Sequence, residues 1–252
     1  MSHPRQKSSQ ARRALVPSIV AVMAMAGVLA SSAAAAPANQ TPPAQTAPAQ
    51  TAPAQEAKPD AAAAVKVTGF RSALFGMTVD EVTKAIGKDF RISGNDIRRE
   101  QNPTERTTSL IVRVDDLQNG AGPAAVAYIF GHSSQRLFQV NILRGGAVNP
   151  KADPNTLVGS ANAMRNYFVQ QGYQSAGMLL NAPIGDGSQV VVFRGTDAQG
   201  RMTLLTLAVP KPADGAKPAD GKAPAPQEPP VMQLSYIEKP NEPDVFRIEK
   251  GF

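Results

Sequence analysis

The sequence predicts an α+β fold of two helix-plus-three-stranded antiparallel sheet repeats, with the helices packed on one sheet face. Three observations lead there. A helix start with its own N-cap occurs twice, at Thr78 and at Asp153. Three strand-like apolar runs follow each of them. Short turn-forming segments separate most of those runs, and strands joined that way pair antiparallel.

The elements are taken in chain order. Residues 1–35 read as a signal peptide. Arg5, Lys7, Arg12 and Arg13 form a positive start without an acid, Ala14–Ala30 is apolar, and Ser31–Ala36 offers small residues for cleavage. Pro37 disfavours a cut after Ala36, so cleavage is expected after Ala33, Ala34 or Ala35. Residues 36–64 are a disordered Pro/Ala/Gln tether in which Pro-Ala-Gln-Thr-Ala repeats at Pro43 and Pro48. Too few bulky apolar side chains occur there to offset chain entropy. A spacer and a solubilising tail both fit that composition.

The first α+β repeat is assigned to residues 65–149. Thr78 with Glu81 forms a capping box, and Met77 and Val82 take the positions of a hydrophobic staple. Val79, Val82 and Ile86 make one apolar face, and Gly87 is expected to end the helix. Strands are expected at Thr108–Val114, Ala124–Phe130 and Arg136–Leu143. Asn119-Gly120 closes the first pair and Gly131–Gln135 the second.

The second repeat is assigned to residues 150–252. Asp153 caps a helix with Pro154 in its first position, and Leu157, Ala161, Met164 and Phe168 mark its apolar stripe up to a stop at Gly172. Strands follow at Val190–Arg194, Arg201–Val209 and Val231–Ile237, with Asp197–Gly200 as a hairpin turn and a last short strand at Val245–Ile248. Residues 211–230, where Lys-Pro-Ala-Asp-Gly occurs twice, read as a disordered insertion.

Charge and composition exclude several functions. The chain has 26 Lys+Arg and 20 Asp+Glu, but four of the cations lie in the signal, leaving 22 against 20. No basic stripe remains, so no nucleic-acid partner is expected. The absence of cysteine excludes disulfides, thiolate metal sites and a Cys nucleophile. No cofactor is expected, because neither a phosphate loop nor Gly-x-Gly-x-x-Gly occurs.

The segment Phe75-Gly-Met-Thr-Val-Asp-Glu-Val82, with Ile86-Gly87 after it, resembles the helix start of SmpA/OmlA (BamE-like) envelope proteins. The tandem layout is similar to that of the β-lactamase inhibitor protein. BamE-like proteins are typically lipoproteins; this chain has no lipid-anchoring Cys, and its second half lacks the Gly-Met-Thr motif. The resemblance implies a non-enzymatic envelope module that binds other proteins. Phe70–Met77 and Pro243–Ile248 also resemble segments of an exported family, with no function attached.

Catalytic groups are sparse. Beyond His3 in the signal, His132 is the only histidine and falls in an expected turn. Ser133 and Ser134 beside it are too near in sequence to imply a Ser-His-Asp geometry. Asp80/Glu81 and Asp115/Asp116 are adjacent pairs, not opposed ones. No catalytic or metal-binding residue is therefore assigned. The expected function is a non-catalytic, periplasmic or secreted interaction module. It meets envelope proteins, and meets the membrane only through an uncleaved signal. Arg98, Arg99, Tyr128, Phe130 and Tyr236 are the candidate partner-binding residues. A small-ligand carrier using the cleft between repeats and a carboxylate-dependent hydrolase are the alternatives.

Overall fold

In the computed structural model the described residues are 64–117, 122–209 and 229–247. The expected signal, the tether apart from Ala64, the Asn119-Gly120 turn and the insertion up to Glu228 lie outside them.

A two-stranded ribbon of β1 (Gly69–Phe70) and β2 (Ala73–Leu74) leads into helix α1 (Val79–Phe90). The capping box forms as the sequence requires. Thr78 Oγ1 accepts the Glu81 N–H at 3.3 Å, and Glu81 Oε2 accepts the Thr78 N–H at 2.8 Å. Val82, Ala85 and Ile86 are the buried side chains. The helix runs through Gly87 and ends at Arg91, whose φ of 60° turns the chain left-handed while its N–H bonds Gly87 O. A single glycine costs a helix only about 1 kcal/mol, which packing of the apolar face outweighs.

Four strands follow: β3 (Arg98–Gln101), β4 (Thr108–Val114), β5 (Ala124–Phe130) and β6 (Leu137–Gly145). Helix α2 (Pro154–Val169) comes next, with Asp153 Oδ2 accepting the Thr156 N–H at 2.8 Å. Four more strands complete the order: β7 (Leu179–Ile184), β8 (Gln189–Thr196), β9 (Met202–Ala208) and β10 (Val231–Ile237). The expected strand at Val245–Ile248 does not form over its described residues, Val245–Arg247.

The fold is mixed α+β with one large antiparallel sheet, ordered β3-β4-β5-β6-β10-β9-β8-β7. This corrects the layout of two three-stranded sheets, because each helix precedes four strands and all eight strands join. The joint is β6 with β10, paired from Val231↔Gly145 to Ile237↔Gln139. Two separate sheets would leave both strands as edges with unpaired backbone groups. All nine residues of β6 are buried, as befits a central strand.

One sheet face carries the core. Leu110 and Val112, Val126 and Tyr128, Val140 and Ile142, Leu234, Leu205 and Phe193 cluster there with Val82 and Ile86 of α1 and Leu157, Ala161 and Phe168 of α2. Phe193 anchors the second half, with ring centroids 5.2 Å from Phe168 and 5.1 Å from Tyr173. The start of the described chain is tied to the β8–β9 turn: the Val67 N–H donates to Asp197 Oδ2 at 2.9 Å across 130 residues, and Arg201 donates back to Val67 O.

Candidate functional site

Two regions have chemistry the core does not consume. The first is a strap, residues 238–247, that leaves β10 and crosses the ends of neighbouring strands. The Glu238 N–H bonds Phe138 O, the His132 N–H bonds Asp244 O, and the Phe246 N–H bonds Glu105 O, each at 2.9 Å. The Asp244 carboxylate fills the turn between β5 and β6, accepting the N–H of Ser133 at 2.9 Å and of Ser134 at 2.8 Å. Burial pushes this carboxyl up, but hydrogen bonds from Ser134 and Ser133 outweigh it and hold the group below the usual carboxylate range. Gly131 is required here, since a Cβ at that position would overlap the Asp244 carboxylate. The Phe246 ring lies under the Arg106 guanidinium at 3.7 Å and meets the His132 ring edge-on at 5.6 Å. An open cavity of ≈ 450 Å³ adjoins the strap, lined by His132, Ser133, Pro243, Phe246 and the charged Glu242 and Arg247.

This brings a serine, a histidine and an aspartate together without making a relay. The Asp244 carboxylate is engaged by the Ser133 and Ser134 N–H groups, while the His132 ring packs on Phe246. A catalytic triad needs the acid on the imidazole and the imidazole on the hydroxyl. The arrangement holds the chain's own residues 244–246 through a carboxylate, the backbone and an aromatic ring.

The second region is the sheet face turned away from the helices. Strands β4 to β10 contain no Asp, Glu or Lys, and their charged residues are Arg113, Arg144 and Arg194. Across the sheet the register lines up Ile111, Ala127, Asn141, Ser235, Leu204 and Arg194 in one row. Arg113, Ala125, Leu143, Gln233, Thr206 and Val191 form the next. Ala127, Ile129, Leu143 and Val191 are buried, yet they stand outside the cluster that includes both helices. The amides are paired sideways: Gln139 Nε2 donates to Asn141 Oδ1 at 2.8 Å, and Gln233 Nε2 to Ser235 Oγ at 3.0 Å. Arg113 donates to Val148 O and Arg194 to Gly177 O, so each guanidinium is held by a carbonyl outside the strands.

The residues expected to bind a partner are dispersed. Arg98 and Arg99 lie on the edge strand β3, where Arg98 pairs with Glu100. Tyr128 and Phe130 have no exposed surface and belong to the core, so neither presents a ring to a partner. Burial pushes the Tyr128 hydroxyl up, with Asp89 adding to it. Tyr236 is half-buried and stacks on Phe70 at 6.0 Å, and burial pushes its hydroxyl up to about 12. Asp244 and Phe246 fall in the segment Pro243–Ile248, to which the sequence attaches no function. The signal available was Pro243-Asp-Val-Phe-Arg247, which carries an acid and a ring without a repeating apolar pattern.

Among the described residues no group of three or more His, Cys, Asp and Glu side chains is placed to hold a metal ion. No described helix is long and apolar enough to cross a membrane. No protein-family model, no curated protein and no solved structure matches the chain.

Proposed function

We propose that this chain is a non-catalytic protein-interaction module of the bacterial cell envelope, acting in the periplasm or outside the cell after its signal is removed. The observation that carries this is the charge pattern of the sheet. A face in contact with water usually alternates apolar residues with polar and charged ones. Here the positions facing away from the helices are aliphatic, amide and hydroxyl, flanked by Arg113 and Arg194. Cores of protein interfaces share that signature, being depleted of Lys, Glu and Asp and enriched in Arg. Ala127, Ile129, Asn141 and Ser235 of this face are buried, and half-buried Ile111, Met202, Leu204, Gln233 and Ile237 are its accessible part.

The recurrence of a helix followed by an antiparallel meander supports reading the halves as two copies of one unit. The capping box at Thr78 accords with the BamE-like resemblance, which points to the same class of function. The test is photo-crosslinking in cells with the crosslinker at Leu204 or Gln233, and at Lys84 on α1 as the control. The reading expects one discrete adduct from the sheet positions alone, and Leu204→Glu should abolish the adduct formed from Gln233. Equal adducts from all three positions would refute docking through the sheet.

A further inference from the structure

We propose that the pocket between the β5–β6 turn and the β3–β4 loop is a peptide-recognition site for extended segments carrying an aspartate two residues before a phenylalanine. In this structure the chain's own Asp244-Val-Phe246 occupies it. The inference is independent of the sheet face, which lies elsewhere.

The site has the three parts that linear-motif recognition uses: a carboxylate nest, backbone hydrogen bonds and a side-chain slot. The nest is the run Gly131-His-Ser-Ser134, whose Ser133 and Ser134 N–H groups point at one carboxylate. Glycine at 131 leaves room for that carboxylate and for nothing larger on the receptor side. His132 N–H and Glu105 O bracket the segment through its backbone at Asp244 and Phe246. The slot for the ring is made by the Arg106 guanidinium at 3.7 Å and the His132 ring. Val245 between the two anchors is half-buried and lines the adjoining cavity.

The occupant is held at the surface. Lys239, Asn241 and Glu242 of the connection are exposed, and no regular strand pairing extends past Ile237. Segments with so few buried contacts open at the low end of a protein's local stabilities. A competing segment must overcome an effective concentration of order millimolar for the tethered one. Apparent affinity in trans is therefore the intrinsic affinity reduced by the open fraction.

The probe is a fluorescent peptide of residues 240–247, Pro-Asn-Glu-Pro-Asp-Val-Phe-Arg, measured by anisotropy against the full chain. The double variant Asp244→Ala/Phe246→Ala vacates the site. Saturable binding to the folded vacated chain is expected, with the wild-type chain at least about tenfold weaker through cis occupancy. Binding should vanish when the peptide carries Asp244→Asn with Phe246→Ala, and when the vacated chain also carries Gly131→Val. A folded vacated chain that binds no peptide, or binds both peptides alike, overturns the proposal. If the vacated chain does not fold, a protease site placed in 239–242 of the full chain replaces it. After nicking, exchange of the C-terminal fragment for the labelled peptide supports the site. Loss of the fragment without uptake of peptide, or retention of it against excess peptide, overturns it.

Discussion

Four buried side-chain polar atoms among the described residues lack hydrogen-bond partners, and two of them bear on single substitutions. The Tyr128 hydroxyl and Arg144 Nε are buried without a hydrogen bond. An unpaired buried polar group costs about 1–3 kcal/mol. Tyr128→Phe removes the orphan and keeps the ring, so its melting temperature should equal or exceed that of the wild-type chain. A fall of several degrees would show that the hydroxyl has a partner in solution. Arg144, 4% exposed, faces the core between Ala124 and Met232, and burial lowers its affinity for the proton. The Asp116 charge opposes that shift, so Arg144 has a counter-charge despite its unpaired Nε. Asp244 links stability to pH. Its folded pKa lies below the unfolded one, so its contribution is complete above the unfolded value near 3.9 and is lost as pH falls through the folded value. Glu105, across the clamp, is raised by burial, so the cost of its charge disappears as pH falls through its own folded value. The Phe246 ring resonances should therefore show strap release only in strong acid. Asp244→Asn should remove that transition, and a release midpoint above pH 5 would contradict the assignment.

At the scale of elements, the cap of α1 has the most direct test. Thr78→Ala removes the side-chain acceptor for the Glu81 N–H and should cost about 1 kcal/mol. Measured by denaturant unfolding, no loss would mean that the staple and core alone set the helix start. Capping chemistry is local, which is why both helix starts and the turns at Gly131–Gln135 and Asp197–Gly200 could be read from a few adjacent residues. Edge strands lack such a signal. Arg98-Arg-Glu-Gln101 has no apolar alternation, and Asn181 with Pro183 breaks the pattern of Leu179–Ile184. Both strands sit at the rims, where charge, proline and a positive φ at Asn181 blunt further pairing. The residues that mark them as poor strands are those that suit an edge. Tyr128 and Phe130 were candidate anchors because an aromatic in a strand faces either side, and only the register with Leu110 and Val140 assigns Tyr128 to the core. The strap stayed hidden for another reason. Asp244 finds the Ser133 and Ser134 N–H groups more than a hundred residues earlier in the chain, a pairing no local pattern carries.

For the whole molecule, the seam between β6 and β10 decides whether the halves are separable. Its seven residue pairs make each half the cover for the other's inner edge. The Val67–Asp197 hydrogen bond and the return bond from Arg201 cross the same division at the start of the first half. Residues 65–149 expressed alone would expose β6 as a long edge of Leu, Phe, Val and Ile with no charge before Arg144. An unprotected apolar edge invites pairing with another copy. The first half alone should therefore self-associate or aggregate in size-exclusion chromatography, and so should residues 150–252. Produced together, the halves should recover a soluble one-to-one complex with the circular dichroism of the intact chain. A monomeric, cooperatively folding first half would show that the core under α1 suffices without the seam. The single sheet would then be two docked domains.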